Sequence, residues 1–246
     1  AGRGGRGGGG GGGGGGGVGG AAAAGPRTFE YAKEWTVGAG GGGGGRGGAA
    51  TEPADIAGAP LVFVGHGYVI NKTNTNPYQG LDVKGKIMIV AGVPAELAAA
   101  RTAAAAAAAA GGGRGGGGGR GAAAPNPLGV ENTDFTTPQT YAARNGAKGI
   151  IMIPTFQQLA TMATPATGRG AGPNGPPYQV VQFQATRPAP VPTITAGVAL
   201  TNALFQGEKL SGAQVFEGGV AAAKLDSFDL NAEKKLTLHV DVTSLK

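Results

Sequence analysis

The sequence predicts an α/β fold in which strands outnumber helices. Three short and nearly continuous apolar runs carry this prediction, because such runs between glycine and proline residues are typical of buried strands. They lie at 60–70, 86–91 and 149–153. Helix signals lie between them and after them, so that strand and helix alternate. Since no single run can be buried alone, we expect the three strands to share one sheet.

Low-complexity tracts interrupt the foldable part of the chain. The 246 residues include 53 glycines, and tracts of glycine and alanine bury little apolar surface. We divide the chain into a glycine-rich segment at 1–27 and one domain at 28–246. Within that domain we place a glycine-rich linker at 38–50 and an Ala/Gly-rich insertion at 95–127.

The first expected strands lie on either side of the linker. The aromatic and β-branched residues of 28–37 fit an edge strand. The run at 60–70 is interrupted by Gly65 and Gly67, and a glycine pair inside an apolar run predicts a bend in a buried strand.

The next elements follow a polar loop at 71–80. A strong strand at 87–91 is ended by Gly92 and Pro94. The alanine-rich stretch at 98–110 then favours a helix by propensity alone.

A helix and a strand are expected to form one αβ unit at 137–154. Thr137 supplies an N-cap and Pro138 occupies the first helical position. Gly146 is suited to the left-handed conformation that ends a helix. The strand at 149–154 then follows directly.

The C-terminal third predicts three more strands and a helix. Strands are expected at 178–183 and 191–195, and a helix at 197–205 that ends at Gly207. The segment at 235–242 alternates apolar and polar residues with a period of two, which is typical of an antiparallel strand with one solvated face.

The positive charge is concentrated in the low-complexity tracts. Five arginines lie in or beside them, so that subtracting these from the formal charge of +6 leaves +1. They are Arg3, Arg6, Arg46, Arg114 and Arg120. Arginine-glycine segments that bind RNA normally interleave aromatic residues, and 1–25 contains none. We therefore expect no nucleic-acid partner.

The residues that usually carry catalysis are few. The chain has no cysteine and only two histidines. None of Ser211, Ser227 and Ser244 lies in a nucleophile-elbow setting, and no glycine tract leads into a Gly-Lys-Ser/Thr phosphate loop. We expect no enzyme activity and no catalytic, cofactor-binding or metal-binding residues.

The two histidines allow different interpretations. His66, at the glycine bend, could act as a ligand or proton shuttle, or it could pack and hydrogen-bond at the bend. His239 lies on the polar phase of the alternating strand and is expected to be solvated. Because they are far apart in sequence and no thiol accompanies them, they make a poor zinc site.

Asn71-Lys72-Thr73 matches the acceptor pattern for N-glycosylation on a loop that is expected to be exposed. No stretch approaches the ~20 apolar residues that span a bilayer. We therefore expect no membrane span.

Four segments resemble, in order and approximate spacing, the protease-associated (PA) domain, and most closely the PA domain inserted in secreted dizinc aminopeptidases. They are 60–69, 80–90, 141–151 and 191–195, and the resemblance extends over residues 29–245. Its most specific part is Asp82-Val83-Lys84-Gly85-Lys86.

The resemblance implies a PA-like open barrel or sandwich with peripheral helices. In that family the domain covers or flanks a peptidase active site, contributes to substrate access or mediates contacts. The dizinc ligands belong to a separate catalytic domain, and nothing in this chain matches their motifs. The resemblance thus implies a non-catalytic interaction module of an exported aminopeptidase-like protein, extracellular or secreted, with a peptidase domain as its partner.

A second hypothesis is structural. Polyglycine can form an extended threefold helix that leaves every backbone N–H and C=O free for neighbouring chains. The tracts could therefore pack between copies, which would make the chain a self-assembling subunit of an extracellular fibre or surface layer. The two hypotheses are compatible, since folds are reused for unrelated functions.

Overall fold

The computed structural model describes residues 25–37, 53–110, 125–155, 159 and 191–241. These ranges contain nine strands and four helices. The strands are β1 (Trp35–Val37), β2 (Ala54–Phe63), β3 (Val69–Ile70), β4 (Ile87–Ala91), β5 (Phe135–Thr136), β6 (Gly149–Ile153), β7 (Thr193–Ala196), β8 (Phe228–Asp229) and β9 (Lys235–Val240). The helices are α1 (Ala95–Ala110), α2 (Pro138–Asn145), α3 (Val198–Phe205) and α4 (Gly212–Val220).

Seven strands form one mixed sheet in the order β1-β7-β6-β4-β2-β8, and β9 pairs with β2. The four neighbours β2, β4, β6 and β7 run parallel, while β1, β8 and β9 pair antiparallel. The α/β class expected from the sequence is confirmed. Within the described ranges the strands form no closed barrel.

The parallel strands are buried on both faces. One face carries Phe63, Ile89 and Ile151, and the opposite face carries Val62 and Val90. Helices α3 and α4 pack on the first face, while α2 and the loop before β4 cover the second. This double burial explains why the strands are continuous apolar runs in the sequence.

The expectation that the three strongest runs share one sheet is confirmed for β2, β4 and β6. The run at 60–70 nevertheless divides, because β2 ends at Phe63 and residues 69–70 form β3, which pairs with β5 in a separate two-stranded sheet. The reason is local: Gly65 and Gly67 have φ values of 53° and 69°, so that the chain turns out of the main sheet between them.

The predicted caps of α2 are confirmed. The Thr137 hydroxyl accepts a hydrogen bond from the Thr140 N–H, Pro138 is the first helical residue, and Gly146 is left-handed with φ 69°. Helix α1 begins at Ala95 rather than at residue 98, since Pro94 can precede a first turn but not continue one. Helix α3 ends near Gly207 as expected.

Other boundaries differ from the expectations. The strand expected at 28–37 is reduced to β1, because a turn with Ala32 at φ 64° precedes it; β1 does form an edge of the sheet. Strand β2 begins at Ala54, six residues before the expected start. The strand expected at 178–183 and the tract at 1–24 lie outside the described residues.

Strand β9 confirms the expected alternation, with Leu238 buried and Lys235, Thr237 and His239 exposed. None of the helices in the described ranges is both long enough and apolar enough to cross a bilayer.

Candidate functional site

The carboxyl ends of the parallel strands form a candidate site, because ligands of open α/β sheets bind outside these ends. His66 lies in the turn that follows β2, and Glu96 lies in the first turn of α1, which follows β4. Tyr68 completes this group, with its ring centroid 6.0 Å from that of His66.

His66 is built into the glycine bend. Its Nδ1 accepts a hydrogen bond of 3.0 Å from the Tyr68 backbone N–H, so that the neutral ring carries its proton on Nε2. Burial lowers the pKa of His66 below 6.5, and the nearby Glu96 carboxylate opposes this only in part. The ring therefore holds the bend in its neutral form, in agreement with the packing interpretation.

Tyr68 and Glu131 link the bend to α2. Burial raises the pKa of Tyr68, with opposite contributions from Arg101, which lowers it, and Glu131, which raises it further. Glu131 Oε1 accepts hydrogen bonds from the hydroxyl groups of Thr137 at 3.0 Å and Thr140 at 2.8 Å. The carboxylate thus braces the N-terminus of the helix.

A stacked tyrosine pair also holds this bend. The Tyr78 hydroxyl donates a 2.7 Å hydrogen bond to the Gly67 carbonyl, and its ring lies parallel to that of Tyr141 with centroids 3.5 Å apart. Burial, and to a smaller extent Tyr141, raise the pKa of Tyr78 strongly. Tyr78 therefore keeps its proton and acts as a permanent donor.

The structure does not bring the two histidines together. His66 follows the C-terminal end of β2, whereas His239 is opposite Asp55 near the start of that strand. The His239 side chain is 63% exposed, which confirms the expectation of a solvated residue. Its Nδ1 lies 3.7 Å from Asp55 Oδ1 and its Nε2 lies 3.1 Å from Asp241 Oδ2.

Ser211 has a structural part in the described chain. It is the N-cap of α4, and together with Gln214 it forms a reciprocal capping box. This helix was not predicted, although the Ser-x-x-Gln spacing is a signal that could have found it. Ser244 lies outside the described residues.

Asn71 lies on an exposed turn, as expected. Its side-chain Nδ2 donates a 2.6 Å hydrogen bond to the Thr133 carbonyl, which leaves its second N–H hydrogen unused by that bond. An open depression of about 520 Å³ lies beside it, lined by Lys72, Leu128 and Asp134 among others.

A second open depression, of about 540 Å³, lies between Arg27 and the turn from α3 to α4. Lys234 shapes this turn: its Nζ donates to the Leu204 carbonyl at 2.9 Å and pairs with Glu208 Oε1 at 2.8 Å. Sequence reasoning missed this cluster, because Lys234 and α3 are distant in the chain.

In the part of the chain that the structure describes, no three His, Asp or Glu residues are grouped so that they could hold a metal ion. Comparison of the sequence and the structure with protein-family models, curated proteins and solved structures finds no match.

Proposed function

We propose that the chain is a non-catalytic, PA-like interaction module of an exported aminopeptidase-like protein, extracellular or secreted, with a peptidase domain as its partner. One observation carries the proposal. The four segments that resemble the PA domain contribute, in chain order, β2, β4, β6 and β7, which are adjacent parallel strands. The segments thus form one continuous unit of the sheet.

The most specific segment supports the same interpretation. The turn at 82–86 places Lys86 at the entrance of β4, where its Nζ pairs with Asp229 Oδ1 at 2.6 Å, while Val83 is buried. The Asp82 carboxylate accepts a hydrogen bond from the Lys84 N–H at 2.9 Å. The contacts of Asp82, Val83 and Lys86 fix the start of β4. The role of this segment is therefore structural.

The polar groups near the strand ends also favour binding over catalysis. A catalytic acid or base must be free to exchange a proton with its substrate. The Tyr78 hydroxyl and the Glu131 carboxylate instead hold the bend and α2 in place. A rigid bend of this kind suits a surface that keeps its shape while it contacts another domain.

The proposal is tested by reading the gene beyond the codon for Lys246 and assaying the products. We expect an in-frame segment with a dizinc ligand set, an inactive isolated chain, and a longer protein that cleaves aminoacyl p-nitroanilides. Removal of 28–246 from the longer protein should change KM for peptide substrates more than for the small nitroanilides, because a flanking module acts on substrate access.

Two results would contradict the proposal. The first is peptidase activity in the isolated chain, or stoichiometric zinc that survives dialysis against a mild chelator. The second is a longer reading frame without zinc ligands, or equal kinetic effects on both substrate classes.

One observation favours the structural subunit as a second candidate. In the sequence, the glycine-rich segment at 1–27 and the glycine-rich linker at 38–50 flank residues 28–37, which end in β1 at the outer edge of the sheet. The described segment between the two tracts thus ends at an edge of the sheet, which a second copy could approach. Deleting residues 1–25 should then abolish assembly in sedimentation experiments and leave the circular dichroism spectrum unchanged; persistence of the same assembly would exclude this role for the tract.

A further inference from the structure

The edge of the sheet opposite β1 carries a surface of its own. Strand β9 has six residues and pairs with β2 on one side, while no strand in the described ranges pairs with its other side. An edge strand of this length presents a row of main-chain donors and acceptors to another chain. By comparison, β1 has only three residues.

The side chains of β9 separate into two faces. Lys235, Thr237 and His239 are exposed on one face. On the other face Leu238 is buried, whereas Leu236 and Val240 are only partly buried where they pack against the core. A strand added at this edge would cover the two partly buried residues further.

The apolar and polar faces of β9 restrict the registers in which β9 of a second copy could pair with it. Residues directly opposite each other in an antiparallel pair lie on the same face of the sheet. If Leu236 were opposite His239 of the other copy, apolar and polar faces would be mixed. Only registers that place even-numbered residues opposite even-numbered ones keep the faces consistent.

The charges of the residues that face each other then favour one of these registers. If pairing continues by one residue beyond the end of β9 at Val240, a twofold axis through Leu238 places Lys235 opposite Asp241 of the other copy, and by symmetry does so twice. The same register places Leu236 opposite Val240 and Thr237 opposite His239. An axis through His239 would instead place two histidines opposite each other, and an axis through Thr237 would place Lys235 opposite His239.

We propose that the chain forms a symmetric dimer through antiparallel pairing of β9 with β9 of a second copy, with the twofold axis at Leu238. The contact joins the two sheets into one and adds two Lys235–Asp241 pairs at its ends. It involves neither the glycine tracts nor a peptidase domain, so it stands independently of the proposed function. Because a six-residue edge is smaller than a standard interface, the dimer is reversible and depends on concentration.

Sedimentation equilibrium of the full chain over a concentration series tests the dimer, and a rise in salt should weaken it because the pairs are exposed. Lys235→Asp and Asp241→Lys each place like charges opposite each other twice, so each should raise the dimer dissociation constant by about tenfold. Lys224→Asp, which makes the same charge change at an exposed loop residue, is the matched control and should leave the constant unchanged.

Mixing the two charge variants provides a test whose positive result cannot be produced by a loss of folding. An equimolar mixture of the Lys235→Asp and Asp241→Lys chains restores opposite charges at both ends, so that the mixture should associate more tightly than either variant alone. The double variant carrying both changes should also regain the wild-type constant. A circular dichroism spectrum of each variant verifies its fold.

Cysteine cross-linking tests the register. The chain has no cysteine, and Thr237 and His239 are exposed. A mixture of Thr237→Cys and His239→Cys chains should be joined by a short bifunctional maleimide faster than either chain with itself. A monomeric wild type at all soluble concentrations, a dimer unaffected by Lys235→Asp, or faster cross-linking of His239→Cys with itself would overturn the proposal.

Discussion

The two faces of the central sheet are buried by different kinds of packing. The face under α3 and α4 is closed mainly by apolar groups, centred on Phe63, whose ring lies 5.2 Å from that of Phe205 and 5.5 Å from that of Phe228. The opposite face is closed partly by Tyr78 and Tyr141, and Tyr78 must also satisfy its hydroxyl group.

The two kinds of packing contribute differently to the stability of this domain and to its shape. Apolar burial on the helix-covered face is non-directional and scales with area. A buried hydrogen bond contributes less net free energy, but it fixes the position of the groups that it joins. We therefore expect the helix-covered face to dominate stability and the tyrosine face to fix the glycine bend.

The largest effect is expected for Phe205→Ala. Phe205 is 1% exposed, so its truncation should lower the free energy of unfolding by about 3–5 kcal/mol, measured by urea denaturation. Tyr141→Ala is the comparison on the other face and should cost less, because Tyr141 is partly exposed. Equal losses would show that the two faces contribute alike.

Gly92→Ala should cause the next largest loss of stability. Gly92 has φ 76° and lies against α4, where an added Cβ would be 2.8 Å from the backbone of Gly219. Gly80 has φ 77° and no atom within 4 Å of such a Cβ, so that Gly80→Ala isolates the cost of the left-handed conformation, about 1–2 kcal/mol. We expect Gly92→Ala to cost clearly more in thermal unfolding; similar costs would mean that α4 shifts freely.

Tyr78→Phe probes the tyrosine face. It removes the donor to the Gly67 carbonyl while keeping the stacked ring, and should cost about 1–2 kcal/mol. Hydrogen exchange should rise at residues 65–68 and remain unchanged in α3 and α4. Tyr31→Phe, at a residue that is 43% exposed, is the control. A uniform rise in exchange would show that the bend is not held locally.

The smallest effect on stability is expected from the titration of His66. Because burial lowers its pKa, the unfolded chain binds the proton more readily, so that stability is complete above pH 6.5 and falls as the pH decreases from 6.5 toward the folded-state pKa. His66→Asn removes this titration and should flatten the decline of the denaturation midpoint below pH 6.5. An unchanged slope would assign the acid sensitivity to other groups.

The sequence predicted well wherever the signal is local. The caps of α2 at Thr137 and Gly146 depend on neighbouring residues only, and both are present. The apolar run of β4 was found because both its faces are buried, and the bend after β2 was found because glycine permits positive φ.

Prediction failed where pairing between distant segments determines whether a strand forms. Ala54 to Ala59 contain few strong strand formers, yet they extend β2 because β9 pairs with them. The short strands β5 and β8 exist only through partners far along the chain. For the candidate site, the sequence drew attention to His66 and Asn71 but contained no local signal for the Tyr78–Tyr141 stack or for the Lys234 cluster.

The amino-acid sequence was sufficient to predict the α/β class, the main buried strands, the caps of α2 and the polar phase on which His239 lies. The tertiary structure alone decided the order of the strands, the division of 60–70 between two sheets and the packing of α4 against Gly92. The physical reason is that propensity and periodicity act over a few residues, whereas these outcomes depend on which distant apolar faces can be buried together.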